Sequence, residues 1–324
     1  MPKTDYSRLL KLADALPFER HRIGHLLDET GRYEERLDRE FPFVIRLFHF
    51  RAHRFTQGST WHERLELFLP LDGRCSQRMG ERVVVLEPGD LLVVDNLKLH
   101  QVMDAPDLNT RVVVVSFLPE FVYSLGSPSH DYAFLLPFYS KLEDRPQVLR
   151  RTNPDAGAAY QAVEELLRHY FSSQPPPLHQ AGCKALLLKF LFKLAQHFES
   201  TEVLRWEFIR QQQRTVRLKK LFEHIAHHYP EKLSVASAAR LSGMSPPQFM
   251  RLFKQVSGMT LVAYLHHVRL SNAARLLRET NRSIAEIAGQ VGFADQSYFD
   301  RRFKKSFGQS PKQFRSGSDL AARP

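Results

Sequence analysis

Residues 233–258 and 282–308 repeat one another, in register at an offset of 49 before a turn and 50 after it. Ser234, Val235, Ala238, Ala239 and Gly243 stand opposite Ser283, Ile284, Ile287, Ala288 and Gly292. Beyond the turn, Ser245, Phe249, Arg251, Phe253, Lys254 and Gly258 stand opposite Asp295, Phe299, Arg301, Phe303, Lys304 and Gly308. Two short helices joined by a tight turn satisfy this spacing. Ser283 with Glu286, and Ser245 with Gln248, have the spacing of capping boxes, and Pro246 occupies the first helical position, where a missing N–H costs nothing. Each copy reads as a helix-turn-helix, one over about 233–256 and the other over about 283–307.

In the second helix of each copy, Phe249 and Phe253, or Phe299 and Phe303, lie four apart and must bury together. The opposite face carries Gln248, Met250 and Arg251 in one copy and Gln296, Ser297, Asp300 and Arg301 in the other, side chains suited to base edges. Arg251 and Arg301 are the leading base readers, since arginine donates bidentately to guanine. Lys254, Lys304 and Lys305 suit phosphate. Charge supports this division: residues 215–315 hold 17 Lys and Arg against 6 Asp and Glu, whereas residues 1–214 hold 28 of each. A basic module attached to a neutral one points to a polyanion, of which nucleic acid is the commonest. Between the copies, Leu261, Leu265, Val268 and Leu276 have helical spacing, and about 20 residues at ~1.5 Å each approach one turn of B-DNA.

The stretch SIAEIAGQVGFADQSYFDRRFKKSFGQSPKQFR, Ser283 to Arg315, resembles the second helix-turn-helix of the AraC/XylS family of bacterial transcription regulators, and MSPPQFMRLFKQVSGMTLVAYL resembles the first. The resemblance covers about 100 residues. It implies a seven-helix domain that binds double-stranded DNA near promoters, works with RNA polymerase and activates or represses transcription in response to a small molecule, and the expectation for this chain is an activator. Pro247 departs from the pattern, at a position where family members present a longer side chain to a base.

At 324 residues the chain is long enough for two domains with separate cores. Residues 41–123 hold the β-rich runs FVIRLFHF, RLELFLPL, RVVVLE, DLLVV and RVVVVSFL, separated by the turn signals LDGR and EPGD, as in a sandwich or barrel. Asp155–Tyr170 and Leu178–Phe198 have helical spacing, with Pro175, Pro176 and Pro177 between them. The second of these is apolar on more than one face, through Leu186, Leu187, Leu188, Phe190, Leu191, Phe192, Leu194 and Phe198. It serves either a homodimer interface or a burial wholly within one chain. EFIRQQQRTVR is polar and reads as a hinge. The expected layout is an all-β cupin-like barrel over 20–125, a helical dimerisation segment over 126–214, and an all-α AraC-type domain with two helix-turn-helix motifs over 215–315.

WHERLELFLPLDG and EPGDLLVVDNLKLH resemble the cupin-like sensor barrel of many family members. Cupins that bind metal use a His pair and a Glu on one strand and a His on a later one; here His62, Glu66 and His100 occupy three places and Arg64 the fourth. The expectation is therefore no metal and no cofactor, with an effector held by His53, His62, Arg64, Glu66 and His100. Arg64 suits an anionic or polyhydroxylated ligand, or pairs with Glu63 or Glu66. The competing readings are a metal-dependent cupin enzyme with an appended DNA-binding domain, and a regulator without a ligand. Cys75 and Cys183 form neither a CxxC motif nor a disulfide framework, so no catalytic cysteine is expected. No apolar run reaches the length of a membrane span, and the first 21 residues carry no continuous apolar segment of a secretory signal, so the expected location is the cytoplasm, away from membranes.

Overall fold

The computed structural model describes residues 3–20, 37–38, 40–50, 62–95, 99–107, 109–123, 131–139, 146–198, 205–257 and 259–321, with the side chains of 3–5, 20, 205–216 and 317–321 excepted. The N-terminal part opens with helix α1 (Lys3–Ala13) and strands β1 (Glu19–Arg20), β2 (Phe43–Phe50), β3 (Leu65–Asp72), β4 (Cys75–Met79), β5 (Arg82–Leu86), β6 (Leu91–Val94), β7 (His100–Asp104) and β8 (Thr110–Phe117). Short helices α2 (Pro119–Val122) and α3 (Leu136–Tyr139) and strand β9 (Gln147–Leu149) follow, then the long pair α4 (Ala156–Tyr170) and α5 (His179–His197). The strands form two sheets, one in the order β1-β2-β8-β3-β6-β9 and one in the order β5-β4-β7.

Side chains alternate across a strand, so a strand covered on both faces reads as an unbroken apolar run. The larger sheet is of this kind. Phe68, Leu92, Val94, Val112 and Val114 point into a core shared with Cys75, Met79, Val84 and Leu86 of the smaller sheet. Their neighbours Leu67, Leu69, Leu91, Val93, Val113 and Val115 point the other way, onto Leu9 of α1, Leu166 of α4 and Leu187 and Leu191 of α5. The β unit is thus a two-sheet sandwich backed by helices. Its larger sheet recruits β9, beyond the 20–125 span that the sequence suggests.

Helix α5 buries Leu187, Phe190, Leu191 and Leu194 and partly buries Leu186, Leu188 and Phe198 within this core, which leaves Phe192, at 47% exposure, as its one large exposed apolar side chain. Most of its apolar surface is therefore satisfied inside a single chain.

The C-terminal part is all helical: α6 (Arg205–His228), α7 (Val235–Leu241), α8 (Pro246–Ser257), α9 (Leu261–Glu279), α10 (Ile284–Gln290), α11 (Gln296–Phe307) and α12 (Pro311–Ala321). The stretch 207–217, expected as a hinge, lies inside α6. Its glutamines and arginines are good helix formers and it contains no Gly or Pro, so polarity alone does not interrupt the helix. Two separate cores form. Phe222, Phe249, Phe253 and Tyr264 centre the first, and Phe299, Phe303 and Phe314 the second. Helix α9 joins them, with Leu261, Tyr264, Leu265 and Val268 in the first and Leu270, Ala273, Ala274 and Leu277 in the second.

Candidate nucleic-acid interface and effector site

The repeat in the sequence is a repeat in geometry. Met244 N–H donates to Ala239 O at 2.9 Å in the first turn, and Phe293 N–H to Ala288 O at 2.9 Å in the second, so the offset of 49 holds through the turn. Helices α8 and α11 then begin 50 residues apart, at Pro246 and Gln296. Glycine at the turn is required by φ of +64° at Gly243 and +90° at Gly292. Gly292 is also sterically confined, since a Cβ there would lie 2.3 Å from Pro230 O at the end of α6, whereas Gly243 faces open space.

Ser283 and Glu286 form the full capping box expected, with Glu286 N–H donating to Ser283 Oγ at 3.2 Å and Ser283 N–H to Glu286 Oε2 at 2.7 Å. The box at Ser245 is only half made. Gln248 Oε1 accepts from Ser245 N–H at 3.4 Å, but the Ser245 hydroxyl donates to that same oxygen instead of accepting from the Gln248 backbone. A complete second box occurs where none was expected, between Ser310 and Gln313 at the start of α12. The second helix of the C-terminal copy is capped by Asp295, whose Oδ1 accepts from Tyr298 N–H at 2.6 Å. Gly258 lies outside the described residues; its counterpart Gly308 ends α11 at φ +74°.

Phe249 and Phe253 are buried with ring centroids 5.3 Å apart, and Phe299 and Phe303 with centroids 5.6 Å apart. On the opposite faces, Gln248, Met250, Arg251 and Lys254 are exposed on α8, and Gln296, Ser297, Arg301, Lys304 and Lys305 on α11. Asp300 is less open: it is half-buried, and burial pushes its carboxyl above the usual carboxylate range against a hydrogen bond with Gln296. The two faces thus expose five basic side chains, Arg251, Lys254, Arg301, Lys304 and Lys305, whereas Gln248 is held by Ser245 and Gln296 by Asp300.

The second site lies in the sandwich. Glu66 of β3 is paired in register with Ser116 of β8 and shares the inward face with Phe68, so the Ser116 hydroxyl donates to Glu66 Oε1 at 2.9 Å. Around Glu66 gather His62, with Nε2 3.2 Å from Oε2, His100, with Nε2 3.7 Å from the same oxygen, and Arg64, with Nη2 3.3 Å from Oε1. The two imidazole Nε2 atoms are 3.1 Å apart. All four residues are buried. Burial alone would push the Glu66 carboxyl up; the His62 imidazole, which attracts and hydrogen-bonds it, the Arg64 guanidinium and the His100 imidazole together hold it well below the usual range. Arg64 thus pairs with Glu66, while Glu63 points elsewhere. His53 lies outside the described residues.

His62, Glu66 and His100 each offer a ligand atom within 4.8 Å of the others, so their spacing suits a metal ion. Their charge balance does not. The buried guanidinium of Arg64 already supplies the positive charge that the carboxylate requires, and a divalent cation would add to a permanent buried cation. The set suits hydrogen bonding to a ligand better than coordination.

Two contacts tie this cluster to the helical part. Glu63, next to His62, has Oε2 2.8 Å from Lys219 Nζ of α6. Leu99, next to His100, is 1% exposed and packs in the first helical core with Leu218, Phe222 and Phe253. Sequence reading missed Ser116, Leu99 and Lys219, because their roles arise from pairings over 50 to more than 150 residues that no local pattern records.

Residues 238–317 match the helix-turn-helix domain family HTH_18. The chain is 41% identical over 98 residues to the bifunctional transcriptional activator/DNA repair enzyme AdaA of Bacillus subtilis (strain 168), which is 30% of this chain and 46% of that protein. It is 36% identical over 104 residues to the arabinose operon regulatory protein of Escherichia coli (strain K12), which is 32% of this chain and 36% of that protein. The C-terminal region is an AraC-type helix-turn-helix domain. These two matches thus span less than half the length of either relative. Over 85% of this chain and 95% of its own, the unsaturated fatty acid bound ToxT of Vibrio cholerae strain SCE256 superposes with a TM-score of 0.49 at 13% identity. Among the described residues no helix is long and apolar enough to cross a membrane.

Proposed function

We propose that the chain is a cytoplasmic regulator of transcription that binds double-stranded DNA through the AraC-type domain and takes a small-molecule effector in the sandwich. The observation that carries the reading is the duplicated exposed face of α8 and α11, set on two cores joined by one helix. Helix α9 has 19 residues, about 28 Å at ~1.5 Å per residue, close to the 34 Å or so of one DNA turn. Two recognition helices carried at its ends would enter successive major grooves, with Gln248, Met250, Arg251, Gln296, Ser297, Asp300 and Arg301 toward bases and Lys254, Lys304 and Lys305 toward phosphates.

The effector would be anionic or polyhydroxylated, held by Arg64, His62 and His100. Its binding would draw Arg64 or the imidazoles from Glu66 and so move their neighbours Glu63 and Leu99, which touch the DNA-binding helices. An effector acts in this way only if it binds two arrangements with different affinity. The regulator works as an activator through RNA polymerase, as a homodimer in which the face of α5 bearing Phe192 meets a second copy.

Catalysis is not part of the reading. Burial pushes the Cys75 thiol up to about 12 and the Cys183 thiol up to about 11, away from the low values of reactive cysteines. A metabolite screen by thermal shift, followed by DNA binding with each hit, tests the proposal. A ligand that stabilises the wild-type chain, changes its DNA affinity and loses both effects in Arg64→Ala supports it. Ligands that bind without altering DNA affinity or transcription would overturn the regulatory half.

A further inference from the structure

A second cluster of ligating side chains lies away from the sandwich interior, where α4 ends and α5 begins. His169 is in the last turn of α4, His179 opens α5 and Cys183 follows one turn later, so the three are brought together across the loop that holds Pro175, Pro176 and Pro177. One ligand atom of each lies within 4.8 Å of the others.

Their arrangement is specific in three respects. Cys183 Sγ lies 3.6 Å from His179 Nε2. Zinc bonds of about 2.3 Å to sulfur and about 2.0–2.1 Å to nitrogen, set at a tetrahedral angle, place those two ligands roughly 3.5–3.6 Å apart. His169 rests against the first turn of α5 only because residue 182 is glycine, since a Cβ there would lie 2.4 Å from His169 Nε2. Leu178, immediately before His179, adopts φ +60°, the single non-glycine residue with positive φ among the described residues. Backbone in this region is costly for leucine, and here it fixes the direction in which α5 presents His179.

The three are also linked without an ion, since the Cys183–His179 contact of 3.6 Å is a long hydrogen bond and the His169 and His179 rings stack with centroids 4.9 Å apart. His169 Nε2 reaches His179 O at 3.0 Å, but His179 Nδ1 is buried with no hydrogen-bond partner. Cys183 is fully buried, whereas His169 and His179 are half-buried, so the cluster is reached from solvent on the imidazole side.

We propose that His169, His179 and Cys183 form a binding site for a borderline-soft transition-metal cation, Zn2+ above all, which clamps the end of α4 to the start of α5. Two imidazoles and one thiolate favour zinc over magnesium or calcium, which prefer oxygen ligands. On binding, Cys183 Sγ and one nitrogen of each imidazole bond the metal, each displacing a metal-bound water, and the thiol proton of Cys183 passes to solvent.

Cobalt(II) added to the full-length apo chain tests the site, because thiolate coordination produces a near-ultraviolet charge-transfer band that histidine and carboxylate ligands do not. The expected result is such a band, saturating at one equivalent, retained in Cys75→Ser and lost in Cys183→Ser. Zn2+ should bleach the band and raise the thermal midpoint of the wild type. His169→Gln, with its fold verified by circular dichroism, should weaken Co2+ binding by more than the roughly 10–100-fold that losing an outer-shell partner costs. Absence of the band at saturating Co2+, its survival in Cys183→Ser, or unchanged affinity in His169→Gln would overturn the assignment.

Discussion

Glu63 and Lys219, 156 residues apart, form an ion pair of 2.8 Å that joins the loop ahead of β3 to helix α6. Because Glu63 adjoins His62, the proposed effector response would run from the buried His62–Glu66–His100 cluster through this pair to the first helix of the C-terminal part. Leu99, beside His100, supplies a second, apolar link.

Both partners of the ion pair are partly exposed, so it contributes about 1 kcal/mol or less to stability. The role proposed for it is coupling. Glu63→Lys or Lys219→Glu alone should change DNA affinity or its response to an effector while leaving the urea midpoint nearly constant, and the double exchange should restore the response. Failure of the double exchange to restore it would remove this pair from the coupling route.

The two turn glycines should differ in cost. Gly243→Ala faces only the positive φ, worth roughly 1–2 kcal/mol, whereas Gly292→Ala must also displace the Pro230 carbonyl and should lose more than about 2 kcal/mol. Urea unfolding of the two variants compares them directly; equal losses would mean that α6 does not hold the second turn.

Arg301→Ala should weaken specific binding by roughly 1–3 kcal/mol and relax preference at one base position. Lys304→Ala should weaken all sequences alike and reduce the salt slope by about one. Binding to the specific site and to random DNA at several salt concentrations separates these roles, and equal losses on both DNAs for Arg301→Ala would make it a phosphate contact.

His267 of α9 is lowered to about 4 by burial, with the charges of Arg78 in β4, Arg302 in α11 and neighbouring His266 acting in the same direction. Folded His267 therefore stays neutral where the unfolded chain takes up a proton. Its contribution to stability is complete above about pH 6.5 and is lost progressively as the pH falls toward 4. Thermal midpoints measured from pH 7 to 5 should fall less steeply in His267→Gln than in the wild type; parallel curves would show that this histidine is not responsible.

Much of this architecture was legible in the sequence because its signals are local. The helix-turn-helix repeat announces itself through Ser283, Glu286 and the paired phenylalanines, and LLVV and RVVVVSFL announce strands buried on both faces. Strands β4 (CSQRM) and β7 (HQVMD) gave no such signal, since six of their ten positions are polar and their pairing with each other is decided by contacts 21 or more residues apart. The 207–217 stretch misled in the opposite direction, because a polar helix and a polar hinge have the same composition and differ only in whether neighbours hold the helix. His62, Glu66 and His100 could be picked out by type and spacing, but the guanidinium that fills the fourth place had to be seen against Glu66 before its pairing was clear.

The central claim is that two recognition helices read two successive major grooves. Genome-wide mapping of bound DNA, followed by footprinting of the purified chain on a recovered site, tests it most directly. The account predicts two protected major-groove boxes about one helical turn apart, the loss of one box's sequence preference in Arg251→Ala and of the other's in Arg301→Ala. A salt-labile affinity equal for every sequence, with no discrete boxes, would contradict it and reduce the basic domain to an electrostatic anchor.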